Sequence, residues 1–143
     1  MGRLEHLYWQ VVNVIMRVLL RSPLHRIQSE HRLLLEFTGR RTGKRYLLPV
    51  SYWQPEPSEL VCLTSASWAV WWRNLDDAQL AVVLRRAKRN AHSRLVTDPE
   101  LRREFVRGFL AHNPRDAGHY RTAAPVALAD DPQTRVIAIA LES

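Results

Sequence analysis

Phe37-Thr38-Gly39-Arg40-Arg41-Thr42-Gly43-Lys44-Arg45-Tyr46-Leu47-Leu48-Pro49-Val50-Ser51-Tyr52 reads as a strand, a glycine-punctuated turn and a second strand. Gly39 and Gly43 permit backbone conformations that a side-chained residue resists, so the apolar flanks become the arms of a hairpin over residues 31–38 and 46–53. Pro49 lies inside the second arm and has no amide hydrogen to give to a ladder, which predicts a sheet edge or a bulge there. Arg40, Arg41, Lys44 and Arg45 crowd the bend, and their mutual repulsion favours a bound anion. For the turn alone, a solvated hairpin tip is the competing reading.

Downstream, Pro55, Pro57 and Ser58 mark the next turn and residues 60–65 a third strand. The segment 66–77 has helical spacing but room only for a short helix carrying Trp68, Trp71 and Trp72. Residues 79–85 and 91–97 read as strands four and five, separated by a cationic turn over 86–90. Asp98-Pro99-Glu100 starts a helix: the aspartate caps free amides, proline suits the first helical position, and the glutamate faces the positive helix end. That helix is expected to reach about residue 111, before Asn113-Pro114 breaks it. Alternating Val, Ile and Ala over 134–141 give a sixth strand. Upstream, Leu4, Leu7, Tyr8, Val11, Ile15, Val18 and Leu19 oppose Arg3, His6, Gln10, Asn13, Arg17 and Arg21, the pattern of an amphipathic helix over residues 1–21 ended by Ser22-Pro23. Such a helix either packs on its own domain or lies on an anionic membrane surface. Its interspersed polar residues exclude a spanning segment, and no signal cleavage site follows.

The expected architecture is therefore α+β: one domain over residues 1–143, mainly antiparallel, with about six strands. Residues 1–21 supply the N-terminal helix, 31–97 the barrel core, and 98–143 a helix and closing strand. A doubly wound sheet is disfavoured, since strand-then-helix alternation does not recur. Hydrophobic residues make up 46% of the chain and charged residues 24%, a globular balance, and the net charge of +7 predicts attraction to anions. Nucleic acid, acidic lipid and a polyanionic small molecule all satisfy that charge. The single cysteine, Cys62, excludes an internal disulfide, fits a reducing cytoplasm, and lies in the apolar run 60–63 as a buried structural thiol.

Known chemical motifs are scarce. Gly39-Arg-Arg-Thr-Gly43-Lys44 is one residue too short between its glycines for a P-loop, continues with Arg45, and feeds a strand where a P-loop feeds a helix. The six histidines have no metal spacing, and no Gly-x-Ser-x-Gly elbow occurs. An enzyme of this sequence takes its reactivity from something other than a nucleophile–base pair. Nucleic acid is the weaker partner class, because a tryptophan cluster on a short helix is more often core than a stacking platform.

The turn and the tryptophan segment together resemble the deazaflavin (F420)-dependent nitroreductase family. The matching pieces are Thr38-Gly39-Arg40-Arg41-Thr42-Gly43, then Pro49 and Tyr52, then Trp71-Trp72-Arg73-Asn74-Leu75, with Arg21-Ser22-Pro23-Leu24-His25 similar to one branch. The resemblance spans about residues 15–97. It implies a split β-barrel and an F420H2-dependent reductase that passes hydride to an electron-poor organic acceptor such as a quinone or nitro compound. It further implies that Arg40, Arg41, Thr42, Gly43 and Lys44 hold the coenzyme's anionic groups, that Pro49 lies beside the ring, and that Trp71 and Asn74 shape its pocket. Tyr120, helped by His119, is the implied substrate contact. Two features depart from the family pattern: Tyr46 stands where many relatives carry arginine, and the loop over residues 64–68, ending at Trp68, is shortened. Ordinary FMN is the alternative cofactor. Alternative functions are a non-catalytic split barrel binding a flavin-type cofactor or lipid, and a basic nucleic-acid-binding module. A cytoplasmic location, peripheral membrane contact through residues 1–21, and a monomer or homodimer complete the expectations.

Overall fold

A computed structural model describes residues 32–67, 69–85, 87–120 and 124–142. The expected helix over 1–21, the Arg21 to His25 segment and Trp68 lie outside them. Seven strands, β1 (Arg32–Thr38), β2 (Arg45–Ser51), β3 (Trp53–Glu56), β4 (Glu59–Ser65), β5 (Ala78–Leu84), β6 (Ala87–Leu95) and β7 (Thr134–Leu141), form one sheet in the order β2-β1-β5-β6-β7-β4-β3. Every pairing is antiparallel. Helices α1 (Pro99–His112) and α2 (Pro125–Asp130) complete the fold, with 3₁₀ turns at Trp71–Asn74 and Pro114–His119. Among the described residues no helix is long and apolar enough to cross a membrane.

The sheet curls into a half-barrel because its strands alternate around an inner core. Leu33, Leu35 and Phe37 of β1, Leu48 and Val50 of β2, and Leu80, Val82 and Leu84 of β5 point inward together. Strands β4 and β7 read as continuous apolar runs because both their faces are covered. Leu60, Cys62, Ile137 and Ile139 join the inner core, while Val61, Leu63, Val136 and Ala138 pack outward against Phe105, Val106, Phe109 and Leu110 of α1 and Leu128 of α2.

The hairpin forms as expected, with Thr38 opposite Arg45 and Arg32 opposite Ser51, and β2 pairs only with β1, which places Pro49 on an edge strand. Asp98 caps α1 by accepting the Leu101 N–H at 2.9 Å, with Pro99 at the helix start.

Four expectations are corrected. The sheet has seven strands rather than six, because Trp53–Glu56 pairs with β4 through a register shift that accommodates Pro55. No cationic turn spans 86–90: β6 begins at Ala87, Lys88 pairs with Glu36 at 2.8 Å, and Arg89 donates to the Glu142 backbone carbonyl at 3.1 Å, so an ion pair and a hydrogen bond carry the two cations into the ladder. Among the described residues of 66–77 the helical piece is a 3₁₀ turn at Trp71–Asn74, closed by the Arg73 N–H on the Val70 carbonyl at 3.1 Å and the Leu75 N–H on the Trp72 carbonyl at 3.0 Å. Finally, α2 appears in a segment read as irregular; proline starts it and burial of Leu128 and Ala129 holds it.

Asn113 ends α1 and ties it to the sheet. Its buried Nδ2 donates to the Tyr52 carbonyl at 2.9 Å and to the Phe109 carbonyl at 3.2 Å, at the junction of β2 and β3. Asn113→Ala strands the Tyr52 carbonyl and is expected to cost about 1 to 3 kcal/mol. Urea unfolding measures this, and Asn113→Asp is expected to do no better, because a carboxylate cannot donate to a carbonyl.

Candidate functional site

The basic turn closes through the Gly39 N–H, which donates to the Lys44 carbonyl at 2.8 Å, and the Gly43 N–H, which donates to the Gly39 carbonyl at 2.9 Å. Gly43 takes φ of 69°, a left-handed conformation that glycine adopts without strain. Gly39 answers a different need: a Cβ there would stand 2.8 Å from the Tyr46 ring and 3.0 Å from Thr42 Oγ1. Thr42 Oγ1 also accepts the Lys44 N–H at 3.3 Å and lies 3.4 Å from the Tyr46 hydroxyl. Thr42 is thereby engaged in shaping the bend.

All four cations are exposed, but they are not equivalent. Arg45 pairs with Glu36, which Lys88 also contacts. The Arg40 guanidinium donates to the Asp76 carbonyl, and the Arg40 backbone N–H donates to Asn74 Oδ1 at 2.9 Å. Arg41 makes no ion pair or hydrogen bond with a described residue, which leaves its guanidinium available to a ligand.

Asn74 therefore joins two distant stretches of sequence. While its Oδ1 holds the turn, its Nδ2 donates to the Trp71 carbonyl at 3.2 Å within the 3₁₀ turn. Trp71 in turn lines a cavity of about 670 Å³, where Pro49, Val50 and Ser51 of β2 and Leu63 and Thr64 of β4 meet Phe109 of α1. The remaining wall is polar: Arg32, Asp116 and Tyr120. The size suits a small organic ligand. Trp72 takes no part. Its Nε1 donates to the Ala69 carbonyl at 2.8 Å, and the Arg135 guanidinium covers its ring at 4.5 Å, so it offers no open face for a nucleobase.

Thr64 is 1% exposed, and its Oγ1 is a buried hydroxyl with no hydrogen-bond partner among the described residues. Burial holds the Tyr120 hydroxyl protonated, pushing its pKa well above the usual phenol range with help from Asp116 and Cys62. Burial likewise pushes the Cys62 thiol up to about 12, which removes it as a nucleophile. Within the shortened loop the Ser67 N–H donates to Ser65 Oγ at 3.2 Å and the two serine hydroxyls lie 2.7 Å apart, while just after it the Ala69 N–H donates to the Ser65 carbonyl at 3.0 Å. With the Ala66 N–H held by Gln133, the amides of Ala66, Ser67 and the following Ala69 all serve the chain itself.

Of the expected site residues, Pro49, Trp71 and Tyr120 share the cavity wall. Asn74 sits behind it as the tie to the turn, whereas Arg40, Arg41, Thr42, Gly43 and Lys44 lie outside the lining. The His119 side chain is outside what is described. Arg32, Thr64, Phe109 and Asp116 were not expected. Only Thr64 carried a signal, as a hydroxyl that with Ser65 follows the apolar run 60–63 of β4.

No family model matches this chain, and no curated protein is detectably similar in sequence. Solved structures are. An F420-H2 dependent reductase, FDR-A, superposes with a TM-score of 0.56 at 16% identity, covering 76% of this chain and 92% of its own. The heme storage protein HutZ of Vibrio cholerae gives 0.55 at 14% identity, over 87% of this chain and 91% of its own. A structure described as a domain-swapped dimer gives 0.60 at 15% identity, over 91% and 96%. The shared feature is the split-barrel fold, and at these identities the likeness carries the fold alone.

Proposed function

We propose that the protein binds coenzyme F420 and acts as an F420H2-dependent reductase on an electron-poor organic acceptor such as a quinone or nitro compound. The observation that carries this reading is the Asn74 bridge, which fixes a cationic turn to one wall of a ligand-sized cavity. From Lys44 to Pro49 along β2 is about 16 Å at strand rise. A ligand with a flat head and an anionic tail matches that separation.

When bound, the reduced coenzyme supplies the hydride, and no protein nucleophile is needed. Arg41 and the glycine-bounded turn hold the anionic tail. Pro49, Val50, Leu63, Trp71 and Phe109 exclude water from the ring and orient the acceptor. Tyr120, kept protonated, holds a proton at its hydroxyl on the cavity wall. The domain-swapped dimer among the similar structures supports assembly as a homodimer.

A second reading, a split barrel that binds such a coenzyme without turnover, is favoured by the loop amides of Ala66, Ser67 and Ala69, which are already taken. Fluorescence titration with F420 and with FMN, followed by a turnover assay with menadione, separates the two. Tight F420 binding with hydride transfer supports the reductase, tight binding without transfer supports the second reading, and affinity for neither coenzyme defeats both.

Asn74→Ala removes both ends of the bridge and is expected to cost about 1 to 2 kcal/mol of stability, from one lost hydrogen bond on each side. It is also expected to weaken F420 binding about tenfold by releasing the turn. A fall in melting temperature with unchanged coenzyme affinity would make the bridge purely architectural.

A further inference from the structure

Arg32 and the basic turn lie at opposite ends of one hairpin. Arg32 faces Ser51 across the ladder and Thr38 faces Arg45, six residues and about 20 Å away at strand rise. Pro49 lies nearer the Arg32 end, paired with Leu34. A coenzyme with its tail on the turn and its ring beside Pro49 leaves the last two residues of the hairpin, about 7 Å at the Arg32 end, to a second ligand. That end is chemically distinctive. Arg32 lines the cavity, is exposed, and makes no ion pair or hydrogen bond with a described residue. Thr64, on the same wall, is buried with its hydroxyl unpartnered. A buried orphan hydroxyl destabilises a fold unless a ligand completes it. Elsewhere in the cavity wall, Val50, Leu63, Trp71 and Phe109 are apolar or aromatic.

We propose that the cavity selects a planar conjugated acceptor that carries a carboxylate. Arg32 pairs with the carboxylate, the Thr64 hydroxyl bonds a polar atom of the conjugated body, and Trp71 and Phe109 cover its apolar surface. This names the acceptor class of the reductase and rests on that reading. The Asp116 carboxylate in the same wall confines the anion to the Arg32 side, because like charges repel.

The probes are 4-nitrobenzoate and its uncharged counterpart 4-nitrobenzamide, titrated against the full chain without coenzyme while tryptophan fluorescence is followed, Trp71 being the reporter. The carboxylate is expected to bind about tenfold tighter than the amide, the worth of one exposed charge-assisted contact. Arg32→Gln is expected to erase the preference and Arg32→Lys to keep part of it. Thr64→Val is expected to weaken both probes several-fold while raising the melting temperature, because it deletes a hydroxyl that the empty fold leaves unpaired. Equal affinity for the two probes, a preference that survives Arg32→Gln, or a lower melting temperature for Thr64→Val overturns the proposal. An F420 titration of the same samples keeps the two readings apart: coenzyme binding without probe preference sinks only the acceptor class, and preference without coenzyme binding sinks only the reductase.

Discussion

Replacing Arg40 and Arg41 together by alanine is expected to weaken F420 binding by about 2 to 5 kcal/mol, or roughly thirty-fold to several thousand-fold. Each cation contributes a charge-assisted bond to an anionic group, and solvent exposure pulls the sum toward the lower end. The single variants are expected to differ. Arg41 has no partner among the described residues, so Arg41→Ala lowers affinity and leaves the melting temperature unchanged. Arg40 also holds the Asp76 carbonyl, so Arg40→Ala lowers both. Titrations at low and high salt extend the test: a contact made by exposed cations weakens as ionic strength rises, and the double variant is expected to show a flatter salt response than the parent. An unchanged dissociation constant in the double variant removes the turn from the site, whatever the cavity binds.

The parts of the fold that were legible in the sequence are those fixed by local chemistry. Gly43 in a left-handed turn, Asp98 capping α1 and the apolar alternation of β7 each depend on residues within a few positions of one another. What escaped depends on distant partners. Lys88 reads as a turn residue until Glu36 of β1 draws it into the ladder, and β3 exists only because β4 lies beside it. Gly108 of α1 makes room for Trp53 of β3, whose ring atoms would stand 2.2 to 2.5 Å from an added Cβ. The candidate site follows the same rule. Pro49 and Trp71 were legible through family resemblance, and the structure brings them into one wall. Thr64 matters because a hydroxyl in β4 finds no partner among the described residues, a property that no spacing encodes.

The largest stability effect is expected at a residue that touches no ligand. Arg102→Ala is expected to cost about 3 kcal/mol, and so to lower the melting temperature by about 10 °C for a domain of this size. The half-buried Arg102 guanidinium donates to the Ala129 carbonyl twice, at 3.0 and 2.9 Å, and to the Thr134 carbonyl at 2.9 Å. Longer contacts reach Val96 and Asp131 at 3.4 Å. Burial, then Arg135, depresses its pKa, and Asp130 and Asp131 oppose them. One fork thus gathers the carbonyls that end α2 and begin β7, and Arg102→Lys, with a single ammonium, is expected to recover only part of the loss. The consequence extends to the cavity. The segment between α2 and β7 includes Gln133, whose carbonyl anchors the Ala66 N–H two residues after Thr64, and Arg135, which covers Trp72 beside Trp71. Loosening Arg102 is therefore expected to weaken ligand binding at temperatures well below the melting transition, read as a lower F420 affinity of the folded variant at 10 °C. A variant that melts early yet binds normally when cold would separate the α2–β7 corner from the site and leave Arg102 a purely global contribution.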